Sequence, residues 1–321
     1  MARRSALRRC FSPTSAPPGW AFFVMRPAVS FIRFGGLLVL AAAACRPSDR
    51  AGHGATVTVT DDAGRTVRVG VPAQRIVSAA PSLTELVFAL GAGDRLVGRT
   101  TWCRYPPAAV AVPSIGDGLN PSVEAIAARQ PDLVLLYKSS HTATAARQLE
   151  RLGIPALVLE HDRLAHVAKT ARLIGGLVGD SARGDSVAAA LEALGRSAPA
   201  QNVASIAFIV WDTPPIVIGA GSYLQELATL AGAYNVFGDM SAASPTVSLE
   251  AIAQRDPDFL LAVRDTVDGT PPAWAERPEW RVIRAVREGR ILVLPGALFG
   301  RPSPAAPAAV AELRRRLEAG R

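Results

Sequence analysis

The chain carries one fourteen-residue segment twice, as SVEAIAARQPDLVL at residues 122–135 and as SLEAIAQRDPDFLL at residues 248–261. Nine of the fourteen positions are identical, and the two copies begin 126 residues apart. That spacing is too wide for the stacked repeats of a solenoid. The repeat therefore predicts one similar lobe in each half of the chain. Small molecules often bind in clefts between lobes, so we expect a ligand cleft there.

Strand-like and helix-like patterns alternate on both sides of the repeat. Continuous apolar runs at residues 132–137 and 154–159 are typical of buried strands, with helical patterns between them. Such alternation predicts parallel sheets covered by helices. We therefore predict an α/β fold with two Rossmann-like lobes joined by one long helical connector. The predicted boundaries are N-terminal lobe 56–165, connector 166–200 and C-terminal lobe 201–321.

Two local features refine this prediction. Gly175 and Gly179 weaken the middle of the connector, where the helix can break. After the strand-like run at residues 75–80, Ser82 has the position of a helix N-cap, and Glu85 follows three residues later. Serine followed at this spacing by glutamate is the pattern of a capping box, so we expect Ser82 and Glu85 to begin a helix together.

The first 44 residues have the features of a secretory signal peptide. They contain six arginines and no acidic residue, and the apolar run at residues 34–44 leads directly into Cys45. This run is too short to span a bilayer comfortably as a permanent helix. Met25 precedes a more ordinary signal sequence than Met1 does. Residues 45–55 are then expected to be a tether ahead of the folded protein.

Cys45 is a candidate for lipid attachment. The sequence LAAAAC at residues 40–45 resembles a bacterial lipobox, in which the cysteine is acylated and becomes the mature N-terminus. The alternative is cleavage at an Ala-x-Ala site, which would leave Cys45 unmodified. Either way we expect the protein outside the cytoplasm, in the periplasm or on the cell surface, and anchored to the membrane if Cys45 is acylated.

Charge and cysteine content exclude several classes of function. The formal net charge is +8, but removal of the six leader arginines lowers it to +2, which gives no reason to expect a nucleic-acid partner. Cys103 is the one cysteine beyond the leader and its junction, so the folded protein is expected to have no internal disulfide. We expect a monomer whose stability comes from its core.

Three segments resemble the helical-backbone (class III) family of solute-binding proteins of ABC transporters: residues 75–86, residues 119–126 and residues 131–134. The similarity extends over residues 56–320 in the same element order. The resemblance implies a protein that captures cobalamin, a siderophore, haem or a metal ion outside the cytoplasmic membrane. The segment WCRYPP at residues 102–107 is most similar to the vitamin B12-binding branch. It implies cobalamin or a related corrinoid as ligand, with a ferric siderophore or haem as the alternative.

Glu124 and Glu250 occupy equivalent positions in the two copies of the repeat, each expected in the first turn of a helix. In the family, carboxylates at these positions dock against arginines of the two permease subunits. The resemblance therefore implies docking of the chain on a permease dimer through Glu124 and Glu250. Arginine–carboxylate pairs are strong and directional. The alternative is that each glutamate only favours its own helix N-terminus.

The resemblance also implies a set of ligand-binding residues in the cleft. Aromatic side chains near predicted strand ends could cover a flat corrin ring, and an arginine could contact amide or phosphate oxygens of such a ligand. The thiol of Cys103, beside the aromatic residues, could touch a metal centre of the ligand; the alternative is a buried cysteine that only packs in the core. The cradle is thinner than in the vitamin B12-binding branch, because Gly118 and Ser244 stand where that branch has tryptophan. The expected ligand-binding residues are Trp102, Cys103, Tyr105, Tyr137, Trp211, Phe299 and Arg301.

No catalytic residue and no bound cofactor or metal are expected. A metal-ion site needs three or four converging ligands, and the histidines His141, His161 and His166 are expected to be ordinary surface residues. The sequence GAGS at residues 219–222 lacks the spacing of a nucleophile elbow, and Walker A, Gly-x-Gly-x-x-Gly and Cys-x-x-Cys motifs are absent from the sequence. A secreted hydrolase whose catalytic residues come from distant positions is the remote alternative.

Overall fold

The computed structural model describes residues 54–197 and 204–320, which form one compact unit. The predicted signal peptide, Met25 and the acylation candidate Cys45 lie outside the described residues. Within the described ranges, no helix is long and apolar enough to cross a membrane.

The N-terminal lobe is built on a four-stranded parallel sheet. The strands of this lobe are β1 (Ala55–Thr60), β2 (Thr66–Val71), β3 (Ile76–Ser78), β4 (Leu96–Arg99), β5 (Leu133–Tyr137) and β6 (Ala156–Leu159). The order in the sheet is β4-β3-β5-β6, and an antiparallel hairpin of β1 and β2 lies outside this sheet. The helices are α1 (Pro81–Ala89), α2 (Val123–Ala127) and α3 (Ser140–Arg151).

Strand β5 shows why a continuous apolar run forms a central strand. Successive side chains of a strand point to opposite faces of the sheet. Leu133 and Leu135 therefore join the large core shared with the connector, whereas Val134 and Leu136 pack in a second core on the other face. All four residues are fully buried. A strand with both faces covered needs apolar residues at every position, which explains the unbroken run in the sequence.

The predicted connector consists of two helices, α4 (Leu164–Leu177) and α5 (Ser181–Arg196), with a turn at residues 178–180. Gly179 in this turn has φ +81°, a conformation that glycine adopts without steric cost. The two helices pack closely where Gly175 and Gly184 meet, because a Cβ atom on Gly175 would lie 2.8 Å from the Gly184 Cα atom. The segment is thus helical as predicted, and it breaks where its glycines weaken it.

The C-terminal lobe contains a five-stranded mixed sheet. The strands are β7 (Ala204–Asp212), β8 (Pro215–Val217), β9 (Ala233–Asn235), β10 (Phe259–Arg264) and β11 (Ile291–Pro295). The order in the sheet is β11-β10-β7-β8, and β9 pairs in parallel with the start of β7. The β7–β8 pair is antiparallel. The helices are α6 (Tyr223–Leu230), α7 (Leu249–Arg255), α8 (Arg284–Arg287), α9 (Gly296–Phe299) and α10 (Ala306–Ala319).

The predicted α/β class with two lobes is confirmed, but the predicted start of α1 is wrong. The N-cap residue is Ala80, no side chain caps the helix, and Pro81 lies in its first turn. Proline suits this position, because its missing N–H would have no partner within the helix. Ser82 is buried and Glu85 pairs with Arg301 in the other lobe, so neither side chain forms the expected capping box.

Candidate functional site

A cleft of about 850 Å³ lies between the two lobes. Its N-terminal wall comes from residues that follow the carboxyl ends of the parallel strands: Ala79 and Ala80 after β3, Trp102 after β4, Tyr137 at the end of β5 and His161 after β6. Ligands of open parallel sheets bind outside these strand ends. The sheet topology therefore brings residues distant in sequence to one wall of the cleft.

The C-terminal wall contains the start of α6 and the segment after α9, including Tyr223 and Arg301. Arg301 also crosses to the N-terminal lobe, where its Nε atom donates to the Glu85 carboxylate at 2.8 Å. Its guanidinium carbon lies 5.0 Å from the centre of the Tyr105 ring, and its Nη2 atom is buried without a hydrogen-bond partner among the described residues. Burial raises the pKa of Glu85, although the Arg301 charge opposes this shift.

A second ion pair joins the lobes beside the cleft. The Nη1 atom of Arg163, the residue before α4, lies 3.1 Å from the Glu226 carboxylate in α6. The same atom donates to the carbonyl oxygens of Ala220 and Ser222 at 3.3 and 3.2 Å. The two lobes are therefore held together by charged pairs as well as by the continuous apolar core.

Three of the predicted ligand-binding residues line the cleft: Trp102, Tyr137 and Arg301. Trp102 leaves 60% of its surface exposed, so a large aromatic face is available. The Tyr137 hydroxyl donates to the Asp162 carboxylate at 2.5 Å. Burial, and to a smaller extent the Asp162 carboxylate, raises the pKa of Tyr137 to about 12, so the phenol remains neutral at physiological pH.

The other four predicted residues are placed differently. Tyr105 lies beneath the Arg301 guanidinium and supports it from outside the lining of the cleft. Trp211 is exposed, but its indole N–H donates to the Thr213 carbonyl away from the cleft lining. Cys103 and Phe299 are fully buried. A direct ligand contact by Cys103 or Phe299 is therefore inconsistent with this arrangement, since the apolar core and neighbouring side chains enclose both.

His161 is the cleft residue that sequence reasoning missed, and the prediction of a surface histidine is wrong. Its side chain is 1% exposed, yet it lines the cleft. Burial, and then the neighbouring His166, lower its pKa to about 4. The available signal was its position two residues after the apolar strand at 154–159, the place where ligands of parallel sheets bind.

Glu124 and Glu250 lie on matching elements of the two lobes. Each is exposed in the first turn of its helix, α2 or α7. The N-cap residues Ser122 and Ser248 accept hydrogen bonds from the amides three residues later at 3.1 and 3.2 Å. The backbone amide of each glutamate, and then the capping serine, lower the pKa of both carboxyls. The repeat thus produces two ionised, exposed carboxylates with the same local geometry.

Comparison with known proteins places the chain in a family. Residues 76–298 match the periplasmic binding protein family. A vitamin B12-binding protein of Vibrio campbellii is 30% identical over 211 residues, which are 64% of this chain and 76% of that protein. An ABC transporter substrate-binding lipoprotein of Bacillus subtilis is 29% identical over 269 residues, covering 80% of this chain and 84% of that protein.

Solved structures share the fold. The periplasmic vitamin B12-binding protein of Vibrio cholerae superposes with a TM-score of 0.65 at 22% identity, covering 78% of this chain and 98% of that one. A periplasmic haem-binding protein with two bound haems gives 0.65 at 25% identity over 77% and 98% of the respective chains. The chain therefore belongs to the periplasmic binding protein family and is a substrate-binding component of an ABC importer that acts outside the cytoplasmic membrane.

Proposed function

We propose that the cleft captures cobalamin or a related corrinoid and that the protein delivers it to its permease. The observation that carries this proposal is the exposed indole of Trp102 on one wall, opposite the guanidinium of Arg301 on the other. An aromatic face suits a flat macrocycle. The Arg301 Nη2 atom is buried and has no partner among the described residues, and amide or phosphate oxygens of a corrinoid could satisfy it once the side chain turns toward the ligand.

The identity of the ligand also draws support from relatives named as vitamin B12-binding proteins, at up to 30% identity. Haem is the second candidate, because the haem-bound protein noted above shares the fold at 25% identity. Both molecules are flat metal chelates with acidic or amide side groups. The same wall and the same arginine would serve either ligand.

Titration of the purified protein with cyanocobalamin, cobinamide, haem and a ferric siderophore tests the proposal. We expect saturable binding of cyanocobalamin and cobinamide, and we expect Trp102→Ala to weaken it at least tenfold. Tyr234→Ala is the matched control, because Tyr234 has a similar exposed fraction, 57%, but lies in β9 outside the cleft lining. Binding of haem or siderophore alone would replace the proposed ligand, and binding of none of the four would refute the proposal.

Docking on the permease through Glu124 and Glu250 is the second part of the proposal. Two exposed carboxylates of matched geometry, one per lobe, suit two matching basic sites on a two-fold symmetric permease. The double variant Glu124→Ala/Glu250→Ala is expected to bind ligand normally and to abolish uptake in cells. The double variant Glu150→Ala/Glu318→Ala, at exposed positions on α3 and α10, serves as the charge-matched control. Normal uptake by the double variant would refute the docking role.

The membrane anchor is proposed at Cys45, which lies outside the described residues. The lipobox-like sequence before it supports acylation, as does the similarity to a substrate-binding lipoprotein. Cells grown with labelled palmitate are expected to label the wild-type protein and to leave Cys45→Ala unlabelled. Unlabelled wild-type protein beginning at or after Cys45 would instead indicate cleavage without lipidation.

A further inference from the structure

His161 combines burial, a position on the cleft wall and a lack of hydrogen bonds. It follows β6, its side chain is 1% exposed, and both of its ring nitrogens lack a hydrogen-bond partner within residues 54–197 and 204–320. Buried polar atoms in folded proteins nearly always have a partner, so an unsatisfied imidazole needs an explanation. A ligand that supplies the missing partner is one such explanation.

Three other polar side chains near this wall already have partners. The Tyr137 hydroxyl donates to Asp162, and the Tyr223 hydroxyl donates to the Phe299 carbonyl oxygen. The Cys103 Sγ atom lies 3.1 Å from the hydroxyl oxygens of both Thr84 and Thr100. The His161 imidazole is thus the uncommitted nitrogen donor among these side chains.

The protonation state of His161 suits coordination of a metal. Burial, and then the neighbouring His166, lower the pKa of His161 to about 4. The ring is therefore neutral at pH 7, with a free lone pair on one nitrogen. Neutral imidazole is the form that binds metals, and the protonated ring has no lone pair to offer.

A bare metal ion does not fit this place. The described residues contain no group of three or more His, Cys, Asp or Glu side chains that could hold an ion. One imidazole supplies one ligand, whereas protein metal sites for divalent ions use about three or four. A metal that binds at this place must therefore arrive with its own chelator, and the chelator must leave one coordination position open for His161.

We propose that His161 donates a nitrogen ligand to the metal centre of the transported chelate. The inference rests on the proposed function of the cleft and deepens it, because it restricts the substrate class to chelates whose metal has an exchangeable axial position. In aquocobalamin the Co–water bond breaks, a Co–nitrogen bond forms, and water leaves without any change in oxidation state. Both ring nitrogens are covered in the structure, so the imidazole must turn toward the cleft when the ligand enters.

Aquocobalamin and dicyanocobinamide test this inference. Water on the cobalt of aquocobalamin is exchangeable, whereas cyanide occupies both axial positions of dicyanocobinamide. We expect wild-type protein to shift the visible absorption spectrum of aquocobalamin to that of an imidazole complex. The variant His161→Gln should lose this shift and bind aquocobalamin at least tenfold more weakly, with unchanged affinity for dicyanocobinamide.

Two controls separate coordination from folding. His166→Gln removes the neighbouring histidine, which is half-buried on α4, and should leave the shift unchanged. Circular dichroism of His161→Gln should match that of the wild type, so that loss of the shift reflects loss of the nitrogen ligand and not unfolding. Binding of aquocobalamin with no shift, or with the same shift in His161→Gln, would overturn the inference and leave the proposed function intact. If neither corrinoid binds, ferric haem replaces them with the same readout, and failure of all three overturns both proposals.

Discussion

The Glu85–Arg301 pair makes the energetic coupling of the two lobes measurable. The two side chains are 14% and 16% exposed, and a 2.8 Å hydrogen bond joins them across a sequence separation of 216 residues. Replacing Arg301 by methionine keeps much of the apolar stem and removes the charge. It leaves the Glu85 carboxylate buried without its ionic partner.

The expected cost follows from two opposing contributions. Charges about 4 Å apart attract by about 4 kcal/mol at an effective dielectric constant of about 20. Desolvation of each ion costs several kcal/mol, and the raised pKa of Glu85 indicates that this cost exceeds the attraction at the carboxyl. Loss of one partner from a buried pair costs about 3–5 kcal/mol, and the residual exposure places this pair near the lower value. We therefore expect Arg301→Met to lower the free energy of unfolding by about 3 kcal/mol at pH 7.5.

The double variant Glu85→Gln/Arg301→Met provides the decisive comparison. With neither charge present, no ion is left unpaired, and we expect a total loss of about 2 kcal/mol, smaller than the sum of the two single losses. Urea unfolding at pH 7.5 measures all four proteins. Equal slopes of the free energy of unfolding against urea concentration would show that the four proteins differ in stability and not in the surface that unfolding exposes.

The pH dependence of Arg301→Met supplies a second check. The Glu85 pKa in the folded state already lies above its usual value, and loss of Arg301 raises it further. At a pH well below the unfolded pKa, such a carboxyl is protonated in both the folded and the unfolded state, so it does not change stability. As pH rises through the folded pKa, the folded state loses stability relative to the unfolded state. The loss of unfolding free energy caused by Arg301→Met should therefore be smaller at pH 4 than at pH 7.5. Additive losses in the double variant, together with a cost independent of pH, would refute the coupling.

Three further predictions concern the core, the connector and the cleft. Leu261→Ala, in the buried strand β10, should cost about 3 kcal/mol in urea unfolding. Gly184→Ala should cost about 2 kcal/mol, because its Cβ would lie 2.7 Å from the Ala171 carbonyl oxygen, whereas Gly195→Ala on the same helix has open space and should cost nothing. The wild type should lose about 3 kcal/mol of stability as pH falls from 6.5 to 4, because the His161 imidazole takes up a proton in the unfolded state before it does so in the folded state. His161→Gln should lack this loss. Equal thermal melting of the two glycine variants, or the same acid loss after His161→Gln, would contradict these expectations.

Features that depend on a few neighbouring residues were predictable from the sequence. Glu124 and Glu250 lie in the first turns of their helices as expected. Ser122 and Ser248 cap these helices, and a cap requires only the amides two or three residues away. The alternation of apolar strands and helices likewise defined an α/β fold with two lobes. The leader and Cys45 rest on the sequence alone, since they lie outside the described residues.

A local pattern could also mislead. Ser82 and Glu85 have the spacing of a capping box, yet α1 starts at Pro81 and Glu85 pairs with Arg301. The stronger interaction for Glu85 comes from a residue of the other lobe. Sequence spacing cannot rank a local cap against a distant ion pair, because the second depends on how the lobes meet.

The sequence by itself therefore determined the two-lobed α/β architecture and the matched glutamates, which follow from short-range patterns repeated along the chain, and its resemblance to known proteins indicated the family. Only the tertiary structure decided which side chains face the cleft. Burial of His161 and exposure of Trp102 result from strand ends brought together from four parts of the N-terminal lobe, with the C-terminal lobe packed opposite. Burial is a property of the assembled neighbours, and those neighbours lie tens to hundreds of residues apart in the chain.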